Sequence, residues 1–222
     1  MRVVPVDDPE ELALLHARVL APSFPPDELE GVDGMTAALR RGTLVAAAAC
    51  DDEGGVRGLA TGSWSARTRV LLLSYLAVAP GVRGGGVGGT LLDAALTAWV
   101  ERLDPLVVLA EVEDPRATTG HRVEEHGDPV ARLRFYRRHG ARPLPLPYVQ
   151  PALGPGARRV PGMLLLALAV DSELVDEDGG WRVPAAALRG FLEEYYAATE
   201  GGPPPGALLE PLAEPAVVLP PG

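Results

Sequence analysis

Arg83 is followed by five glycines in six residues, Gly84, Gly85, Gly86, Gly88 and Gly89, and the glycines open a stretch of helical periodicity. Glycine leaves no side chain between backbone N–H groups and a ligand. The first N–H groups of a helix lack internal partners, and the helix dipole favours negative charge there. A guanidinium beside them can grip phosphate bidentately. The chemistry this pattern offers is phosphate binding. Elsewhere, Glu111 and Glu113 stand two residues apart, so on a strand both project from one side of the sheet. His121 and His126 are separated by four residues among Glu124 and Glu125. A metal site would need a third ligand at recognisable spacing, and the sequence shows none, so no metal is expected.

Three readings of the glycine turn compete. Gly84-x-Gly86-x-x-Gly89 satisfies the dinucleotide-binding pattern, and Glu111 falls near the distance at which that pattern places an acidic residue. Against it, Pro80-Gly81-Val82-Arg83 intervenes between strand and glycines, where the dinucleotide turn is tight. A Walker A loop needs Lys-Ser/Thr after its glycines, and this chain contains no lysine. A glycine-rich linker with no ligand would leave Arg83 and the helix start unexplained.

The elements that must position these residues follow from periodicity. Residues 71–78 form an apolar run of strand length, broken at Pro80-Gly81. Leu91, Leu92, Ala95, Leu96, Trp99 and Leu103 then recur at helical spacing. Upstream, Met1–Val6 reads as a strand, and Asp8-Pro9 as the N-cap and first residue of a helix that stops before Pro22. A second helix is expected over Glu28–Arg41. Three strands, 43–51, 56–64 and 69–79, follow with only short turns, which implies an antiparallel meander and opposes a βαβ unit. A buried strand over 106–112 comes after the helix and is expected to run parallel to the strand before it. Beyond the polar loop 113–128, a short helix spans Pro129–His139 and ends at Gly140. Two strands close the domain, 142–152 and 162–170, the first crowded with prolines that suit a sheet edge.

Two motifs in this order resemble the GNAT N-acetyltransferase superfamily. Val78-x-Pro80-x-x-Arg83-Gly84-x-Gly86-x-Gly88 resembles its acetyl-CoA signature, with Arg83, Gly86 and Gly88 matching position by position. Arg134-Phe135-Tyr136-Arg137-Arg138-His139-Gly140-Ala141 resembles its second segment, a helix ending in Tyr-x-x-x-Gly. The resemblance covers about residues 1–170. It implies an α/β (α+β) fold with a mixed, mostly antiparallel sheet of about seven strands flanked by helices, one parallel pair splaying at the CoA site. The superfamily often has Asn seven residues before the tyrosine; Pro129 stands there instead.

The resemblance implies acetyl transfer from acetyl-CoA to a primary amine by direct attack in a ternary complex. Val82, Arg83, Gly84, Gly85, Gly86, Val87, Gly88 and Gly89 would hold the pyrophosphate. The pantetheine arm would lie along Leu76 and Val78, and the backbone N–H near Val78 would polarise the thioester carbonyl. Tyr136 matches the position of the group that protonates or stabilises the leaving thiolate. An alkylamine is protonated at neutral pH, so a base is also needed, and Glu111 and Glu113 are the candidates. A GNAT-fold module that binds acyl-CoA without catalysis, and an enzyme for longer acyl-CoA, are the alternatives. Neither motif identifies the acceptor, which remains open between a small molecule and a peptide.

The formal charge is −10, which argues against nucleic acid as a partner. From Asp171 onward, ten acidic residues face two arginines. This 171–222 segment reads as an acidic extension with one amphipathic helix, about 184–199, and a tail with seven prolines. The stripe Leu188, Phe191, Leu192, Tyr195 and Tyr196 must be covered by the main domain or by a second subunit, which leaves a homodimer open. Arg132, Arg134, Arg137, Arg138 and Arg142 read as a solvated basic face, some able to reach the CoA 3′-phosphate. The single Cys50, the absence of an apolar leader and the lack of any apolar run near 20 residues suggest a cytoplasmic protein with no membrane partner.

Overall fold

The computed structural model describes residues 1–82, 85–117, 128–154 and 156–221. Arg83, Gly84, His121, Glu124, Glu125 and His126 lie outside the described residues. The strands are β1 (Arg2–Pro5), β2 (Leu44–Cys50), β3 (Val56–Ser65), β4 (Val70–Val78), β5 (Val107–Glu113), β6 (Arg142–Pro143), β7 (Met163–Val170), β8 (Trp181–Pro184) and β9 (Ala216–Leu219). The α-helices are α1 (Pro9–Leu15), α2 (Val32–Arg41), α3 (Val87–Leu103), α4 (Pro129–Arg138), α5 (Ala185–Glu200) and α6 (Gly206–Leu209). Strands β1 to β7 form one mixed sheet in the order β1-β2-β3-β4-β5-β7-β6, antiparallel apart from the pair β4 and β5. Strands β8 and β9 form a separate antiparallel pair.

The chain divides into two compact units, Met1–Trp64 with Leu72–Asp104, and Ser65–Leu71 with Pro105–Gly222. In the first, the Asp8 carboxylate accepts the Glu10 N–H at 3.0 Å and Pro9 takes the first helical position, so α1 starts where the sequence predicts. It continues through a π-helical turn, His16–Leu20. The second helix is shorter than expected. A 3-10 turn occupies Pro26–Glu28, and α2 begins only after Gly31. Leu12, Leu15, Val19 and Met35 pack with Leu44, Ala46, Ala48, Leu59, Tyr75 and Ala77 in one apolar core. The alanines of β2 are buried along the strand, as befits a strand covered on both faces, and α2 and α3 both contact it. Gly58 on β3 is required by close approach. A Cβ there would stand 2.8 Å from the Ala77 carbonyl oxygen and 3.1 Å from a Leu91 methyl carbon.

In the second unit, β5 pairs with β7 from Val107↔Val170 to Glu113↔Met163. The proline-crowded segment forms only a two-residue edge strand, β6, against Ala167 and Leu166. Pro143, Pro145 and Pro147 remove alternate donors; Leu144 N–H between them still donates to Leu165 O of β7 at 2.9 Å, and a further bridge joins Gln150 and Val160. Helix α5 buries Leu188, Phe191, Leu192 and Tyr196, so this chain itself covers the stripe. The C-terminal segment adds more structure than one helix. Strand β9 pairs with β8 through Trp181↔Leu219 to Pro184↔Ala216. Four-residue strands are too short to show an alternation in sequence. Arg142 anchors them. Its guanidinium lies 3.8 Å over the Trp181 ring and donates to the carbonyls of Gly179 (3.0 Å) and Pro220 (2.9 Å). It is therefore not part of a solvated basic face.

Candidate functional site

In the first unit the candidate groups are backbone groups. Tyr75 and Ala77 of β4 enter the core, while Ser74, Leu76 and Val78 between them are half-buried on the other face. Ala79 N–H donates to Arg57 O of β3 at 2.9 Å. Alternation along an extended strand then directs the N–H groups of Val78 and Leu76 to the opposite edge of β4. Val82 N–H donates to Ala79 O at 3.1 Å, closing a turn with Pro80 at its second position and Gly81 at φ +80° at its third. The Val82 N–H thus closes this turn.

Gly85 and Gly86 follow with φ of +71° and +76°. Both are exposed, and beyond their chain neighbours no described residue comes within 4 Å of the place a Cβ would take at either. The requirement for glycine is conformational there, because a side chain is strained at positive φ. Gly86 is the N-cap of α3 and supplies no side-chain acceptor. The opening N–H groups of a 17-residue helix, those of Val87, Gly88 and Gly89, consequently have no side-chain cap. Val87 turns its side chain inward, and Gly88 and Gly89 are half-buried. A Cβ at Gly88 would be in ordinary contact with Val78, 3.6 Å from its Cγ2, so the helix start sits against the end of β4.

In the second unit the candidate groups are side chains. Tyr136 lies on α4, whose Asp128 N-cap accepts the Val130 N–H at 2.8 Å and whose end is set by Gly140 at φ +83°. The ring is buried, edge-on to Phe135 with centroids 5.2 Å apart. Burial pushes the hydroxyl pKa up to about 12, only partly offset by the Arg132 charge. Tyr136 therefore keeps its proton across the physiological range.

Glu111 and Glu113 are in different settings. Glu113 is buried, and Arg132 of α4 donates to its Oε2 at 2.9 Å. Arg132 is thus the partner of a carboxylate and not a solvated charge. Glu111 is half-buried in a cluster the sequence did not reveal. Tyr148 donates its hydroxyl proton to Glu111 Oε1, Gln150 Nε2 donates to Oε2 at 3.0 Å, and Tyr195 of α5 places its hydroxyl 3.4 Å from Oε2. Burial, with the Glu111 charge and hydrogen bond added, raises the Tyr148 pKa well above that of free tyrosine. Tyr196, next in the chain, donates to the Val149 carbonyl and fixes the backbone between Tyr148 and Gln150. The signal available in sequence was the spacing Tyr148-x-Gln150, which puts both side chains on one side of an extended segment. Among the described residues, no group of three His, Cys, Asp or Glu is placed to hold a metal ion.

No family model matches the chain, and no curated protein does. Solved structures do. A Bacteroides thetaiotaomicron protein named as a GNAT-family acetyltransferase is 24% identical, with a TM-score of 0.58 over 78% of this chain and 90% of its own. A ribosomal-protein-alanine N-acetyltransferase from Brucella melitensis is 19% identical, with a TM-score of 0.53 over 77% of this chain and 100% of its own. A spermidine N-acetyltransferase from Vibrio cholerae is 13% identical, with a TM-score of 0.51 over 76% and 94%. At such identities the likeness is one of fold, and the fold is that of the GNAT acetyltransferases.

Proposed function

We propose that this protein is an acetyl-CoA-dependent N-acetyltransferase that modifies a primary amine by direct attack in a ternary complex. The observation that carries the reading is the start of α3, a long helix opened by glycines with no side-chain cap, on the fold of acetyltransferases. Its Val87, Gly88 and Gly89 N–H groups and the Arg83 guanidinium would hold the CoA pyrophosphate. The N–H of Val78, on the edge of β4 away from β3, would polarise the thioester carbonyl.

Tyr136 would donate a hydrogen bond to the departing sulfur. A thiol has a pKa near 8.5, about 3.5 units below that of this buried phenol, so full proton transfer to the thiolate is uphill and a shared proton is the fitting role. Glu111 would accept the proton that the acceptor's ammonium loses. Glu113, held by Arg132, is less suited to that task. A net charge of −10 favours a cationic amine as acceptor.

The test is turnover. Purified protein is given acetyl-CoA and a panel of polyamines, aminoglycosides and peptides, and thiol release is followed. Release dependent on one amine class is expected. CoA binding without turnover on any acceptor would make the protein a binding module, and absence of CoA binding would overturn both readings.

A further inference from the structure

Among the described residues, donors to Glu111 come from two segments, and one of them lies outside the residues that resemble the superfamily. Tyr148 and Gln150 belong to the segment after β6. Tyr195 belongs to α5, in the acidic C-terminal extension. A carboxylate offers about four acceptor positions, and three protein donors on two elements fix both its place and its plane.

Gln150 makes the arrangement more pointed. The residue is 5% exposed, and its Oε1 has no hydrogen-bond partner among the described residues. Rotating the amide would place two oxygens together, so the NH2 group must face Glu111. A buried acceptor left unsatisfied is a cost that folded proteins seldom tolerate without a reason. Here the amide is oriented for the carboxylate at the expense of its own oxygen.

The tyrosine of the extension is equally well held. The Tyr195 ring stacks on Phe191 with centroids 5.7 Å apart. Around it, α5 is tied to the rest of this unit by Glu194 to Arg67 and by Glu200 to Arg159. Among the described residues, titratable groups facing Glu111 include Tyr148 on one side and Tyr195 and Tyr196 of α5 on the other. Arg159 lies 5.3 Å from the Tyr196 ring, and Glu113 with Arg132 is two residues along β5.

We infer that Tyr148, Gln150 and Tyr195 are positioning residues that hold Glu111 oriented and ionised to receive the acceptor's proton, so that the C-terminal helix is a working part of the site. This rests on the reading of Glu111 as proton acceptor. In that step an N–H bond of the ammonium breaks, an O–H bond forms on Glu111, and the nitrogen lone pair becomes free to attack. Donors to a carboxylate stabilise its ionised form, so removing one makes protonation easier and moves its titration to higher pH.

The experiment uses the full chain as Tyr195→Phe and Tyr148→Phe, each of which keeps the ring and deletes one donor. Each is titrated twice: by kcat for thiol release against pH at saturating acetyl-CoA, and by 13C NMR of glutamate side-chain carboxyls. Glu111→Gln identifies the resonance by its loss. In Tyr148→Phe both the acid limb of kcat and the Glu111 resonance should move to higher pH by about one unit. In Tyr195→Phe both should move by a few tenths, with the KM for acetyl-CoA unchanged. Should Tyr148→Phe fail to fold, Tyr195→Phe alone decides. A Glu111 resonance that titrates as in the wild type overturns the positioning inference. A resonance that moves while the acid limb stays put, or full turnover in Glu111→Gln, overturns instead the reading of Glu111 as proton acceptor.

Discussion

The turn from Ala79 to Gly89 and the cluster at Glu111 are two ways of making a polar site. The first uses backbone groups close together in sequence, in Ala79–Val82 and Gly85–Gly89, whose conformation Pro80, Gly81, Gly85 and Gly86 set locally. The second joins side chains 37, 39 and 84 residues from Glu111 in sequence. A backbone site tolerates almost any neighbour provided φ is right, whereas a side-chain site exists only once β5, the segment after β6 and α5 have packed. The donor half of the proposed reaction is thus written in local sequence, and the proton chemistry in long-range contacts.

If that contrast holds, the two regions respond differently to substitution. The largest effect is expected at the turn. Arg83→Glu removes charge-assisted hydrogen bonds to phosphate, each worth about 1.5–3 kcal/mol, and adds repulsion. CoA affinity measured by calorimetry should fall at least ~100-fold, with the far-UV circular dichroism unchanged. Unchanged affinity would move the phosphate site away from this turn. Next comes Tyr136→Phe, which deletes a hydroxyl and leaves the buried ring. Here kcat should fall about 100-fold while CoA affinity stays within about twofold. The wild-type rate should show no inflection from this group at neutral pH, because burial pushes the phenol up to about 12. A fall in affinity equal to the fall in kcat would make Tyr136 part of the binding surface instead.

The same contrast explains what could be read in advance. The order of strands and helices through residue 170, the helix stops at Gly42 and Gly140 and the start at Asp8-Pro9 all follow from local rules, and the structure keeps them. Prolines 143, 145 and 147 identified an edge, although they left a strand of only two residues. That the N–H of Val82 closes a turn is not written in the composition of the segment, which does not say which of its donors do so. Glu111 and Glu113 are equivalent by spacing. Only the structure separates them, through Arg132 for one and Tyr148, Gln150 and Tyr195 for the other. Arg142 looked like one more charge on a basic face, and the residue that claims it, Trp181, is far along the chain in a segment with no family pattern.

That anchor gives the third prediction and brings the comparison to stability. Arg142→Ala removes the contact with Trp181 and the hydrogen bonds to Gly179 and Pro220, for a cost of about 2 kcal/mol. Urea melts should show the loss, and hydrogen exchange should place the opening in β8 and β9. Arg142→Lys should rescue little, because an ammonium cannot both stack on the indole and reach the two carbonyls. Full rescue by lysine would show that charge alone holds the segment.

The smallest effect expected comes from Glu200 at the end of α5, where a carboxylate opposes the helix dipole and needs a partner. Arg159 supplies it, donating through Nε at 3.0 Å, and Ala152 N–H adds a bond at 3.1 Å. The Arg159 hydrogen bond is the main reason the Glu200 pKa lies below that of a free glutamate, with burial opposing it. A carboxylate whose pKa is lowered by folding contributes stability that is fully present above the unfolded value, about 4.3, and is lost as pH falls through the folded value. Being near the surface, the pair should contribute less than about 1 kcal/mol. Glu200→Gln should therefore be slightly less stable than wild type in urea at pH 7, and the gap should close below about pH 4. If the gap persists at low pH, Glu200 holds the 150–160 segment through the geometry of its hydrogen bonds and not through its charge. The C-terminal helix would then be fixed beside Glu111 by contacts that acid does not loosen.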